Sequence, residues 1–326
     1  MPAEAGSRPT AGRLRAAASL AVKIGLSAAL LAWVLSGVDR DALASRLSEA
    51  AVGPLVGLVA AMLGLAVLQA WRWRLVLRAL EGHGRPLPAV RIVFLSLFFL
   101  QAVPSTLGAD AVRAWAAFRR GVRLTDAVAS VVVDRAVALA ALIAIVLAGL
   151  PWLFRLTGGG VAAWSALMIC AAGIGGIVLV AGLGWLPLRW QRWKPLHALK
   201  SVGLALRCLL RAPRILGTAL ALSVVIHLGS ILILAAIGWI FATPATLGQF
   251  LVIGPAVLIV TMAPVSIAGW GVREGAMVIG LGYAGVAEDA ALATSLVFGA
   301  VLAAAGLVGG AVWLATDLAG RRLRAR

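Results

Sequence analysis

A ten-residue stretch running from proline to Val-Arg occurs twice in this chain and constrains its fold more than any other feature. The first copy is Pro104-Ser105-Thr106-Leu107-Gly108-Ala109-Asp110-Ala111-Val112-Arg113 and the second is Pro264-Val265-Ser266-Ile267-Ala268-Gly269-Trp270-Gly271-Val272-Arg273. The copies are offset by 160 positions in a chain of 326. Each follows an apolar segment, 92–103 in the first half and 251–263 in the second, the latter interrupted by Gly254-Pro255. Pro removes a backbone donor, and Gly favours backbone that other residues avoid. Such a break at the end of an apolar run, repeated at half-chain spacing, predicts a duplicated membrane unit whose broken segments meet at a site.

Composition settles the solvent. Hydrophobic residues make up 62% and charged residues 13%, against about 45–50% and 25% in soluble domains. One soluble core cannot hide that much apolar surface, so the expectation is an all-α polytopic membrane protein. The net charge is +17, but the basic residues fall between apolar runs, which is a topological pattern. It points to anionic lipid headgroups and the membrane as partners, with no nucleic acid. Cys170 lies in an apolar run and Cys208 in a basic stretch. Neither has metal-ligand company, so no disulfide, metal or cofactor is expected.

Residues 1–19 carry Arg8, Arg13 and Arg15 and are expected to form a cytoplasmic tail, followed by a transmembrane domain over 20–326. Full spans are expected near 20–38, 51–70, 127–150, 161–186, 215–241 and 292–314, with an interfacial helix at 39–49. Trp71-Arg72-Trp73-Arg74 reads as an aromatic-belt anchor whose arginines snorkel to the cytoplasmic face. Residues 189–214 hold Arg189, Arg192, Lys194, Lys200, Arg207, Arg211 and Arg214 and no acid. That stretch reads as an amphipathic helix on an anionic membrane surface.

The run at 92–103 spans roughly 18 Å as a helix, short of the roughly 30 Å hydrocarbon core. A re-entrant hairpin broken at Pro104 fits it better than a span. Unpaired backbone groups cost several kcal/mol each in lipid, so such breaks survive only where protein or a wet cavity surrounds them. Each half, about 20–158 and 159–320, then holds three spans and one broken hairpin. Three is odd, so the halves have opposite orientations and form an inverted repeat of eight hydropathic segments.

The candidate chemistry is anion handling. Arg113 and Arg273 are suited to grip a phosphate bidentately. Asp110 is placed to orient an arginine or cap a helix, while Gly269 and Gly271 permit close backbone approach. Ser105, Thr106 and Ser266 are placed to cap the helices after Pro104 and Pro264. Asp134-Arg135 lies inside a span, where each charge costs roughly 2.5–3.5 kcal/mol. Two readings stand there: an ion pair holding helices together, or an arginine set beside the broken segment. Arg273 needs a partner, either Glu274, a helix carbonyl or an anionic substrate. His227 is expected to bond a neighbouring carbonyl rather than relay protons.

These residues resemble a known family. Pro264 through Glu274 resembles the Pro-x-Ser-x-Gly-Gly-x-Gly-x-Arg-Glu signature of the lysylphosphatidylglycerol synthase transmembrane, flippase-like family. Pro104, Gly108-Ala109-Asp110 and Arg113 resemble its upstream Pro…Gly-Gly-Asp…Arg motif, and Asp134-Arg135 its acidic-Arg pair within a span. Ala109 and Ala268 stand where the family has small glycines. The resemblance implies eight segments and translocation of a lipid or lipid-linked glycan. It also implies an anionic phospholipid or polyprenyl-phosphate-linked lipid as ligand, and envelope-lipid biosynthetic enzymes as partners. The chain ends at residue 326, so the soluble aminoacyl-transfer domain is not expected.

The location expected is a bacterial inner membrane, with both termini cytoplasmic. The competing classes are a polyprenyl-phosphate glycosyltransferase and a non-catalytic envelope scaffold. Against the enzyme, the sequence has no His-Glu-x-x-His motif, and its one Asp-x-Asp, Asp39-Arg40-Asp41, opens the expected interfacial helix.

Overall fold

The computed structural model describes residues 40–49, 52–81, 87–102, 106–183, 194–262 and 269–324, with Gly25, Ala32, Leu35 and Ser36. The described residues form eleven helices: α1 (Arg40–Glu49), α2 (Val52–Glu81), α3 (Ala89–Ala102), α4 (Thr106–Phe118), α5 (Leu124–Leu156), α6 (Val161–Leu183), α7 (Lys194–Leu210), α8 (Pro213–Ile240), α9 (Leu247–Thr261), α10 (Val272–Gly282) and α11 (Glu288–Arg324). Five of them, α2, α5, α6, α8 and α11, are long and apolar enough to cross a membrane. They match the second to sixth expected spans; the first, at 20–38, lies outside the described residues apart from single positions.

Lipid is the solvent these helices need. On α6, Met168, Val178 and Leu179 expose 65%, 63% and 66% of their surface, untenable in water for so apolar a helix but neutral in hydrocarbon. Polar residues turn inward instead, the reverse of a soluble bundle: Arg72, Arg113, Ser130, Asp134, Ser223, Arg273, Glu274 and Ser295 are all buried.

The order of elements repeats. A short helix, a long span, two short helices and a long helix run from α1 to α5, and again from α7 to α11. The packing repeats as well. α2 touches α3, α5 and α11 and pairs with α8; α8 touches α9, α11 and α5 and pairs with α2. Likewise α3 packs on α4 and on α11 of the other half, as α9 packs on α10 and on α5. The halves therefore interlock by exchanging hairpins. Glycines make that exchange close: a Cβ at Gly309 would stand 2.7 Å from the Phe94 carbonyl oxygen, and one at Gly310 would stand 2.6 Å from the Phe98 ring.

Local chemistry sets the helix limits. α8 starts with Pro213 in its first turn, where the missing N–H is not needed. α9 opens with a capping box, Thr246 Oγ1 accepting from Gln249 N at 3.3 Å and Gln249 Oε1 accepting from Thr246 N at 2.8 Å. Contrary to the sequence expectation, Gly254-Pro255 does not interrupt this segment, and α9 continues through Pro255. Only one backbone bond is lost there, and Gly254 lets the helix lie against Ile231 of α8.

α7 is amphipathic as expected, with Val202, Leu206 and Leu209 buried. Its apolar face meets α2, α5 and α6 rather than lipid. The helix is thereby part of the bundle.

Candidate functional site

Two buried charge clusters sit where the repeated motifs enter the bundle. In the first, Asp134 of α5 is fully buried and holds two arginines. Arg72 of α2 donates to it from Nε at 2.8 Å and Nη2 at 3.3 Å, and Arg113 of α4 donates from Nη1 and Nη2 at 3.0 Å each. Arg72 Nη1 also donates to Ser223 Oγ of α8 at 3.0 Å. The Trp73 ring lies 5.2 Å from the Arg113 guanidinium, and its Nε1 donates to Ser130 at 3.2 Å. Four helices are thus tied at one carboxylate. Burying one charge alone costs several kcal/mol, so these groups are tenable only together.

Arg135 follows Asp134 in sequence, but successive residues on a helix point about 100° apart. Arg135 turns away and meets Asp110 of α4 bidentately, Nε to Oδ2 and Nη2 to Oδ1 at 3.0 Å each. Arg113 Nη2 stands 3.6 Å from the same Asp110. Asp134 and Arg135 are therefore not partners of each other. Each helps lock α4 against α5, and the Arg135 side chain stays 41% exposed.

In the second cluster Arg273 and Glu274 pair directly. Arg273 Nε and Nη2 donate to Glu274 Oε1 at 3.0 and 2.6 Å, and Ser295 Oγ of α11 donates to the same oxygen at 3.2 Å. Trp270 and Phe298 flank the guanidinium at 4.8 and 6.0 Å. A Cβ at Gly299 would overlap Arg273 Nη2, so glycine there makes room for the charge. Glu274 Oε2 also accepts from Gly271 N at 2.6 Å and so caps α10. The residue before the helix is Gly271. Gly269 and Gly271 both have φ of +82°, where a side chain is strained. Both glycines shape the left-handed turn that leads into α10.

One cavity of about 630 Å³ joins the clusters. Asp110 and Arg135 reach it from the first half, and Arg273, Thr261 and Phe298 from the second. Its remaining lining is mostly aliphatic, with Leu206 of α7 among it. At the first cluster three guanidiniums face two carboxylates. Arg135 and Arg273 each use Nε and Nη2 within the protein, and their Nη1 groups make no hydrogen bond among the described residues.

Arg113, Asp134, Asp110 and Arg135 thus come together, as do Arg273 and Glu274; Pro104, Pro264, Ser105 and Ser266 lie outside the described residues. Arg113 is locked by Asp134 and Trp73 and does not line the cavity. Arg72 and Trp73, expected in a membrane anchor, are 3% and 0% exposed, while Trp71 is 61% exposed. The signal that could have found them is a polar stripe: Ser130 and Asp134 lie one helical turn apart on an otherwise apolar helix and need partners. His227 Nε2 lies 3.0 Å from the Ala138 carbonyl, as expected.

No curated protein matches the chain. The model of the lysylphosphatidylglycerol synthase TM region matches residues 20–310, so it takes in both hairpins and both clusters, and the chain belongs to that family of membrane proteins.

Proposed function

We propose that this protein moves a lipid or lipid-linked glycan across a bacterial inner membrane, with the anionic headgroup passing through the cavity shared by the two halves. The observation that carries this reading is the convergence of Asp110 and Arg135 with Arg273 on one cavity. An aliphatic wall accepts chains, while two guanidinium nitrogens without a partner among the described residues, and an excess cation, bind a phosphate. The headgroup takes Nη1 of Arg135 and of Arg273 and competes with Asp110 for the former. The repeated packing of α2 to α5 and α8 to α11 supports an inverted repeat, in which the α3–α4 and α9–α10 hairpins enter from opposite faces as re-entrant segments. The basic residues after α4 and on α7 support a cytoplasmic location for that end and for both termini.

The process is transport without bond-making. In its support, Asp110, Asp134 and Glu274 are each engaged by an arginine, so none is left as a general base. The ligand class is an anionic phospholipid or a polyprenyl-phosphate-linked lipid, supplied by envelope-lipid biosynthetic enzymes. The test is mass spectrometry of lipids retained by purified protein and by an Arg135→Gln, Arg273→Gln variant. One phosphate-bearing lipid enriched in the parent and lost in the variant is the expected result. The same bulk lipid mixture in both would overturn the reading.

A further inference from the structure

A second groove lies apart from the central cavity. An open groove of about 690 Å³ runs between α5, α8 and α9, toward the end of α5 remote from Arg135 and α7. Its α5 wall extends from Ile145 to Leu156, about 17 Å of helix and close to one leaflet of the hydrocarbon core. The walls are aliphatic, and Arg155 is the one charged residue among those lining the groove. Arg155 is exposed and makes no ion pair or side-chain hydrogen bond among the described residues. Trp152, 59% exposed, stands one turn before it. At the same mouth Gln249 commits its Oε1 to Thr246, which leaves its amide N–H groups to donate.

We propose that this groove holds an anionic glycerophospholipid of the leaflet opposite α7, one acyl chain along α5 and α9 and the phosphate on Arg155. The charge decides the class. A zwitterionic headgroup brings an ammonium that needs an acceptor, and no carboxylate lines the groove. An anionic headgroup brings no ammonium, and its phosphate oxygens are acceptors that a guanidinium and an amide satisfy. The site stands independently of the transport reading, since neither Arg135 nor Arg273 lines it.

The test uses the full chain in phosphatidylcholine vesicles with a diazirine-chain phosphatidylglycerol probe, cross-linked and mapped by peptide mass spectrometry. Labelling is expected between Ile145 and Trp152 and at Leu251 and Val252, suppressed by excess phosphatidylglycerol but not by phosphatidylcholine. Arg155→Gln is expected to weaken that competition about ten-fold, while Arg155→Lys retains part of it. Arg155 is exposed and without an ion pair among the described residues, so its substitution leaves the fold intact. Equal labelling by a phosphatidylcholine probe, or an unchanged preference in Arg155→Gln, would overturn the proposal.

Discussion

Arg113 and Asp134 share two hydrogen bonds of 3.0 Å with both side chains almost wholly buried, so the arginine of the first motif is a structural strut. Its counterpart Arg273 lies on the cavity wall. The same motif position therefore does different work in the two halves.

Asp134→Asn removes the charge that Arg72 and Arg113 share. Breaking a buried pair by removing one partner costs about 3–5 kcal/mol. The detergent-solubilised variant should lose its thermal transition or unfold at a clearly lower temperature. Arg135→Gln, at a half-exposed side chain, should unfold close to the parent. Equal stability of Asp134→Asn and the parent would refute the strut.

Gly271→Ala puts a side chain where φ is +82°. That costs roughly 1–2 kcal/mol and disturbs the cap formed with Glu274. Gly282→Ala is the control, because a Cβ there meets nothing within 4 Å. Comparing their unfolding temperatures separates backbone strain from added bulk, and only the first should fall.

Gly299→Ala drives a Cβ into the Arg273 guanidinium. The end of the side chain must shift and loses part of its hold on Glu274. Retention of the anionic lipid should drop about ten-fold, the equivalent of one charge-assisted hydrogen bond. Quantitative lipid mass spectrometry reads this directly; unchanged retention would detach Arg273 from binding.

Cys208 on α7 is exposed and Cys170 on α6 is fully buried. With α7 cytoplasmic, a membrane-impermeant maleimide should label Cys208 in inside-out vesicles and leave right-side-out vesicles unlabelled. Cys170 should react in neither. Labelling of Cys208 from the outside would invert the proposed topology.

Much of this architecture was legible because hydrocarbon leaves few options. An apolar run of sufficient length must be a helix, and five of the six expected spans coincide with α2, α5, α6, α8 and α11. The pairing of the charges was less legible. Asp134 and Arg135 look like an ion pair in sequence, yet a helix turns them toward different neighbours. Arg72 sits among aromatic and basic residues that resemble an interfacial belt, and only the packing of α2 on α8 shows that it points inward to Ser223. Pro255 looks like a break, but tight packing on α8 carries α9 through it. Local pattern reports polarity; it does not report which neighbour a helix face meets.

The central claim is that Arg135 and Arg273 pass a phosphate-bearing headgroup through one cavity. The most direct measurement is the rate at which a fluorescent phosphatidylglycerol becomes accessible to dithionite in vesicles reconstituted with parent or doubly substituted protein. Accelerated exposure is expected with the parent, and a rate near that of protein-free vesicles with Arg135→Gln, Arg273→Gln, both proteins being folded. Equal acceleration by the two proteins would contradict it.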